Sequence, residues 1–246
     1  MGYRALIHGY QNRNEPEANV YHVGSGTSGS RYNAFKVKLS ARNSVYLNYK
    51  NMPLPFLVLN ILTLTLGWLI KLRFFGVEYR KGRVFMKTTI VIPNYNGKAF
   101  MEDCLTALAA QTVRDFEVLV VDNGSTDGSV DGLDAWFPGV RVISFEKNYG
   151  FSRAVNEGIR QSRSEYVILL NNDTIPFPDY VERLVGAIEA DRRIFSVSPK
   201  MIQACNRHLL DDAGDSYCVL GWAFQRGVGQ QAESYSRPGL IFSSCA

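Results

Sequence analysis

The residues with the clearest chemical potential lie in three short polar runs. In Val121-Asp122-Asn123-Gly124-Ser125, a carboxylate closes an apolar stretch. A carboxylate at the end of a buried strand can accept a hydrogen bond from a nucleobase imide or a ribose hydroxyl. The competing reading is an Asp that starts a turn, which Asp, Asn, Gly and Ser all favour. In Asn171-Asn172-Asp173-Thr174 a second carboxylate follows a second apolar stretch. Hard divalent cations such as Mg²⁺ or Mn²⁺ take one or two carboxylates plus substrate phosphates. An ion there would neutralise charge building on a leaving diphosphate. The alternative is a turn ahead of Pro176 and Pro178. In Asn148-Tyr149-Gly150-Phe151-Ser152-Arg153, Gly150 would let backbone approach a ligand. The helix that follows would turn its N-terminus to phosphate oxygens, with Arg153 beside them.

These runs need strands and helices to hold them. Apolar, β-branched stretches at 88–92, 117–121, 140–145 and 166–170 predict strands, with a fifth at 194–198. Helical spacing predicts helices over 99–112, 125–137, 151–163 and 178–190, the second capped by Ser125 or Thr126. Apolar strands alternating with helices predict an α/β fold with a mostly parallel, Rossmann-like sheet covered by helices on both faces. In such sheets ligands bind at the carboxyl ends of the strands, where all the polar runs fall. No Gly-x-Gly-x-x-Gly follows the first strand, which counts against a nicotinamide or flavin site.

Charge divides the chain. Residues 1–85 carry twelve Lys/Arg against three Asp/Glu, and the remainder fifteen against twenty. A basic first third suits phosphates or an anionic membrane surface. Nucleic acid is the weaker partner, since no zinc-finger, helix-turn-helix or RNA-binding pattern accompanies the charges. Within this segment 18–23 reads as a strand, 24–30 as a Gly/Ser loop and 35–49 as a basic helix. Residues 53–70 are mostly apolar, at the short limit for a bilayer span. An interfacial helix, a span and a soluble core helix are all open readings, and the basic residues that follow would face the cytoplasm. Cys104, Cys205, Cys218 and Cys245 are widely spaced, which predicts reduced thiols rather than a metal cluster. No secretory leader is visible at the N-terminus.

Taken together in order, four motifs resemble the family-2 glycosyltransferases of the GT-A fold. They are 89–97 (TIVIPNYNG), 120–129 (VVDNGSTDGS), 148–156 (NYGFSRAVN) and 170–174 (LNNDT). They are most similar to the bacterial rhamnosyltransferase-like branch. The resemblance implies that Pro93, Asn94 and Tyr95 line a base pocket and that Asp122 holds the nucleoside. It implies that Asn148, Gly150, Arg153 and Asn172 bind the donor's sugar or diphosphate, and that Asp173 ligates Mg²⁺ or Mn²⁺. The usual Asp-x-Asp is Asn171-Asn172-Asp173 here. Residues 20–29 (VYHVGSGTSG), 41–43 and 49–53 resemble the closing part of the same domain, in which a histidine, here His22, ligates the metal or contacts phosphate. A lone His is otherwise more often no ligand.

The order is therefore inverted. Residues 1–52 resemble a C-terminal piece of the catalytic domain, 53–85 an apolar helix and basic linker with membrane contact, and 86–246 the donor-binding N-terminal part. The acidic stretch that supplies the catalytic base in this family is visible at neither end. Asp211, Asp212 and Asp215 could substitute, but read better as a polar turn around Gly214. The resemblance implies an inverting transferase that moves a sugar from a dTDP- or UDP-activated donor to a glycan or lipid-linked acceptor, in cell-wall or polysaccharide biosynthesis. Its expected place is the cytoplasmic face of the plasma membrane. The alternatives are a nucleotide-sugar-binding fragment without turnover, and a membrane-surface interaction protein. A tail detached from its head also raises a homodimer with exchanged segments.

Overall fold

A computed structural model describes residues 10–22, 86–217 and 223–243, all within one compact unit. The expectations for 24–30, 35–49, 53–70 and the basic linker lie outside the described residues. Among the described residues, no helix is long and apolar enough to cross a membrane. In chain order the elements are β1 (Gln11–His22), β2 (Thr88–Asn94), α1 (Lys98–Ala109), β3 (Phe116–Asp122) and α2 (Leu133–Trp136). There follow β4 (Val140–Ser144), α3 (Phe151–Gln161), β5 (Tyr166–Leu169), β6 (Thr174–Pro176) and α4 (Tyr180–Glu189). The last are β7 (Ile194–Gln203), β8 (Leu210–Asp212), β9 (Asp215–Tyr217), β10 (Ala223–Gln225) and β11 (Gly239–Ile241).

The predicted parallel sheet is present, in the order β4-β3-β2-β5, with every pair parallel. Its middle strands are buried on both faces, which is why they read as unbroken apolar runs. Ile90, Ile92, Val118 and Val120 face α1 and α4, which contribute Met101, Leu105, Leu108, Tyr180 and Leu184 to the same cluster. Val91, Leu119 and Val121 face the opposite way and pack on Ala154 of α3. From β2 the chain steps outward to β3 and β4, then returns to β2's other side as β5. The strand order thus reverses between β2 and β5, where such sheets open a ligand crevice. Pairing stops at Val91 opposite Leu169, so the two strands part just before Asn94 and Asn171.

Two expectations are corrected. The helix predicted at 125–137 shrinks to Leu133–Trp136. Gly124, Gly128 and Gly132 all take positive φ, and Ser125 and Asp127 are drawn into bonds with the backbone of Asn96 and Lys98, so no helix can start at Ser125 or Thr126. The strands predicted at 18–23 and 194–198 are much longer, because they pair with one another. They form a second, mixed sheet in the order β11-β1-β7-β8, with β6 also on β1. Its central strand β1 runs parallel to β7, while β11 and β6 share its other edge, both antiparallel. The β1–β7 register breaks between Glu15 and Asn19, so that Pro16, which has no N–H to give, falls in the break. Ala18, in the break, and Val20, beyond it, are buried in the same cluster as the parallel sheet.

Candidate functional site

Asn94, the last residue of β2, is the hub of the crevice. Its Nδ2 lies 2.8 Å from Asp122 Oδ1, 2.8 Å from Ser129 Oγ and 3.1 Å from Ser125 Oγ. Its Oδ1 accepts from Asn172 Nδ2 at 2.7 Å. One buried amide therefore ties the loop after β3 to the loop after β5, across the gap where β2 and β5 separate. Gly97 makes room for this. A Cβ there would sit 1.8 Å from Asn172 Nδ2 and 2.5 Å from Asn94 Oδ1. The turn before it places Asn96 at φ 52°, a conformation asparagine tolerates better than most residues.

The loop after β3 is stitched on both sides. Asp122 is buried, and it accepts from Ser125 Oγ at 2.5 Å and from the Ser125 N–H at 3.1 Å. Asp127 caps α1, taking the Lys98 N–H at 2.9 Å. Burial works against its charge, but bonds from Ser129 and the Lys98 and Ser129 backbone hold its carboxyl below the usual range. On the other side, Asn123 Nδ2 donates to Asn148 Oδ1, and Asn123 Oδ1 accepts from the Tyr149 N–H. Asn148 Oδ1 also receives the Gly150 N–H, with Gly150 at φ 94° opening α3. Tyr149 is exposed, and both Lys147 Nζ and the Arg153 guanidinium stand 5.4 Å from its ring. Tyr95 is exposed and Pro93 half-buried at the crevice mouth.

The second sheet brings in the remaining residues. At the end of β1, His22 pairs with Thr174 of β6 on one side and Gln203 of β7 on the other. That register sets it beside Asp173. His22 Nε2 lies 3.6 Å from Asp173 Oδ1, and that oxygen is buried with no hydrogen-bond partner. The other ring nitrogen, Nδ1, is 2.6 Å from Asp211 Oδ2. Burial disfavours the imidazolium, yet the two flanking carboxylates outweigh it and push the His22 pKa up to about 9. Nearby, the Arg207 guanidinium stands 4.6 Å from the Tyr21 ring, which meets Phe177 in a tilted contact, and both pin this end of β1.

A buried carboxylate oxygen without a hydrogen bond is costly unless something positive meets it, and in the metal-free protein the protonated His22 ring, 3.6 Å away, stands in that place. The pair of Asp173 Oδ1 and His22 Nε2 fits a divalent cation that completes its shell with diphosphate oxygens and water. Among the described residues, no group of three or more His, Cys, Asp or Glu could hold a metal without such help.

The polar turn expected around Gly214 is present, with Gly214 at φ 91°, and Asp211 and Asp212 enter it from a strand. Both lie on β8 and are buried. Asp212 accepts the Gly214 N–H, and burial, followed by the charge of Asp215, pushes its pKa up to about 6. Asp215 takes the Ser243 hydroxyl at 2.6 Å. No spacing rule could have found the contact of Asp211 with His22, since 189 residues separate them. Of the four cysteines, Cys104 and Cys205 are among the described residues, and both are free thiols. Cys104 is buried in the core, which pushes its pKa up to about 12.

Residues 89–214, just over half of the chain, match the family Glycosyl transferase family 2. Over 104 residues the chain is 31% identical to the glycosyltransferase GlyG of Streptococcus pneumoniae, covering 41% of this chain and 35% of that one. Over 106 residues it is 35% identical to a chondroitin synthase of Escherichia coli, covering 42% of this chain and 15% of that one. It thus spans well under half the length of these relatives. Among solved structures, S. aureus TarS in complex with UDP aligns over 44% of this chain and 33% of its own, at 25% identity and TM-score 0.41. The matched segment holds the parallel sheet from Thr89 onward and the crevice residues other than His22. With its α/β architecture of the GT-A kind, the chain belongs to glycosyl transferase family 2.

Proposed function

We propose that the chain binds a nucleotide-diphosphate sugar, dTDP- or UDP-activated, in the crevice between β2 and β5. It transfers the sugar, with inversion, to a glycan or lipid-linked acceptor in cell-wall or polysaccharide biosynthesis. The observation that carries this reading is the buried oxygen of Asp173, without a hydrogen bond, facing His22 at the carboxyl end of the sheet. The names of the curated relatives, glycosyltransferases and a chondroitin synthase, support sugar transfer to a glycan.

In this reading Pro93 and Tyr95 border the base, and Asn94 holds Asp122 and Asn172 in place. Asp122 Oδ2 accepts only the Ser125 N–H among its bonds described above and has a lone pair left for an imide or hydroxyl. Asn148 and Gly150 shape the start of α3, and Lys147 and Arg153, spread around Tyr149, offer two cations to diphosphate oxygens. Asp173 and His22 would hold Mg²⁺ or Mn²⁺, which when bound offsets the charge on the departing diphosphate. Titrating the full chain with UDP and dTDP sugars in a calorimeter, with and without Mn²⁺, tests this. Metal-dependent binding is expected, and Asp173→Ala should abolish the Mn²⁺-dependent part. Absence of any nucleotide-sugar binding by the wild type would remove the proposal.

One observation favours a second reading, donor binding without turnover. Asp211, Asp212 and Asp215, the carboxylates that could stand in for a base, are engaged by His22, Gly214 and Ser243. Sugar transfer by the isolated chain, lost in Asp173→Ala, would refute it. Membrane contact through 53–85 at the cytoplasmic face, and a homodimer, belong to the same proposal. Co-sedimentation with anionic liposomes and sedimentation equilibrium test them.

A further inference from the structure

We infer that Asp211 is a positioning residue for the metal-binding end of the site: it fixes the ring and tautomer of His22 so that Nε2 is the nitrogen presented to Asp173. The inference rests on the metal reading above. An imidazole ligand works only when its lone pair points at the metal. The group bonded to its other nitrogen decides which nitrogen that is. Here the Nδ1 contact is short, 2.6 Å, and both side chains are largely out of solvent, His22 at 17% and Asp211 at 11% exposed. A carboxylate accepts only, so Nδ1 must carry the proton and donate it to Asp211. Nε2 is then left to face the Asp173 oxygen 3.6 Å away, which has no hydrogen bond of its own.

The fold delivers this contact by register. The pairing of β8 with β7 shifts register between Leu210 and Asp212, so Asp211 is the extra residue of a bulge, a feature that re-aims a side chain. β8 pairs antiparallel with β7, Ile202 with Leu210 and Met201 with Asp212, and β7 in turn runs beside β1 with Gln203 opposite His22. Leu210 is fully buried in a small cluster with Ile202, Ala213 and Ala232, which holds β8 in that register. The bulged acid therefore reaches His22 across two strand pairings.

The test uses full chain carrying Asp211→Asn and Asp211→Ala, with thermal unfolding as the check on folding. Mn²⁺ affinity is read by electron paramagnetic resonance of the free ion, with UDP present. Affinity should fall about 10- to 100-fold in both variants, the usual range for losing the outer partner of a ligating histidine. UDP binding without metal should stay unchanged. A second, metal-free measurement uses ¹⁵N-histidine NMR. In wild type the neutral His22 ring, read above its pKa of about 9, should be the Nδ1–H form, and in Asp211→Ala it should shift toward the Nε2–H form. Mn²⁺ affinity within two-fold of wild type in a folded variant would overturn the inference, and so would an unchanged tautomer. A wild type that binds no Mn²⁺ would instead overturn the metal reading, with the NMR measurement still deciding the role of Asp211 on His22.

Discussion

At the scale of single residues, the crevice is held by amides more than by charges. Asn94 faces Asp122, Ser125, Ser129 and Asn172 at once, with both polar atoms of its side chain used. Such a hub tolerates little intrusion, because a buried amide pushed off its partner keeps its desolvation cost, about 1–3 kcal/mol. Gly97→Ala is the smallest intrusion available, since the new methyl would land on the Asn172 amide. The expected outcome is a loss of about 1–3 kcal/mol of stability by urea unfolding, together with at least ten-fold weaker nucleotide binding by calorimetry. Gly186→Ala serves as a control, because a Cβ there meets nothing within 4 Å. At this scale the sequence was legible in part. Asp122, Asn172 and Asp173 stood out as polar residues ending apolar runs. The partnership of Asp122 with Asn94 was not visible, since it depends on the register of two strands 28 residues apart.

At the scale of elements, α3 lies unusually close to the sheet. Gly158 faces Val91 at the centre of β2, and a Cβ on Gly158 would lie 2.2 Å from Val91 Cγ1. Two effects compete in Gly158→Ala. Alanine favours a helix interior by about 1 kcal/mol, while overpacking costs about 1–3 kcal/mol. The collision here involves a branched, fully buried side chain in a central strand, so overpacking should win and the urea midpoint should fall. Adding Val91→Ala relieves the collision, and the double variant should recover part of the loss. A double variant that is merely the sum of the two singles would show that the helix does not press on Val91. The position of α3 also matters for chemistry, because its first turn carries Gly150 and Arg153 to the crevice rim.

At the scale of the whole molecule, the defining feature is β1. It precedes the parallel sheet by more than sixty residues of chain, yet it forms the central strand of the second sheet and supplies His22. Ala18 is fully buried between the two sheets' side chains. Ala18→Asp would place a carboxylate in that core. An uncompensated buried polar group costs several kcal/mol. A midpoint shift of about 2–4 °C per kcal/mol applies to domains of this size, so Tm should fall by about 6–12 °C or more. Mn²⁺ binding should weaken with it. An unchanged Tm would mean that β1 is no part of the stable fold.

The sequence by itself determined the parallel sheet and the place of the site. Strands buried on both faces must be apolar throughout, and their ends must turn polar where they leave the core, so 88–94, 116–122 and 166–173 announce themselves locally. It did not determine the second sheet. β1 and β7 are each interrupted by proline and mixed in polarity, and each is a strand only because the other pairs with it. Only the tertiary structure decided that His22, Asp173 and Asp211 meet, because three strand registers, none legible from local pattern, set those side chains within 4 Å of one imidazole ring.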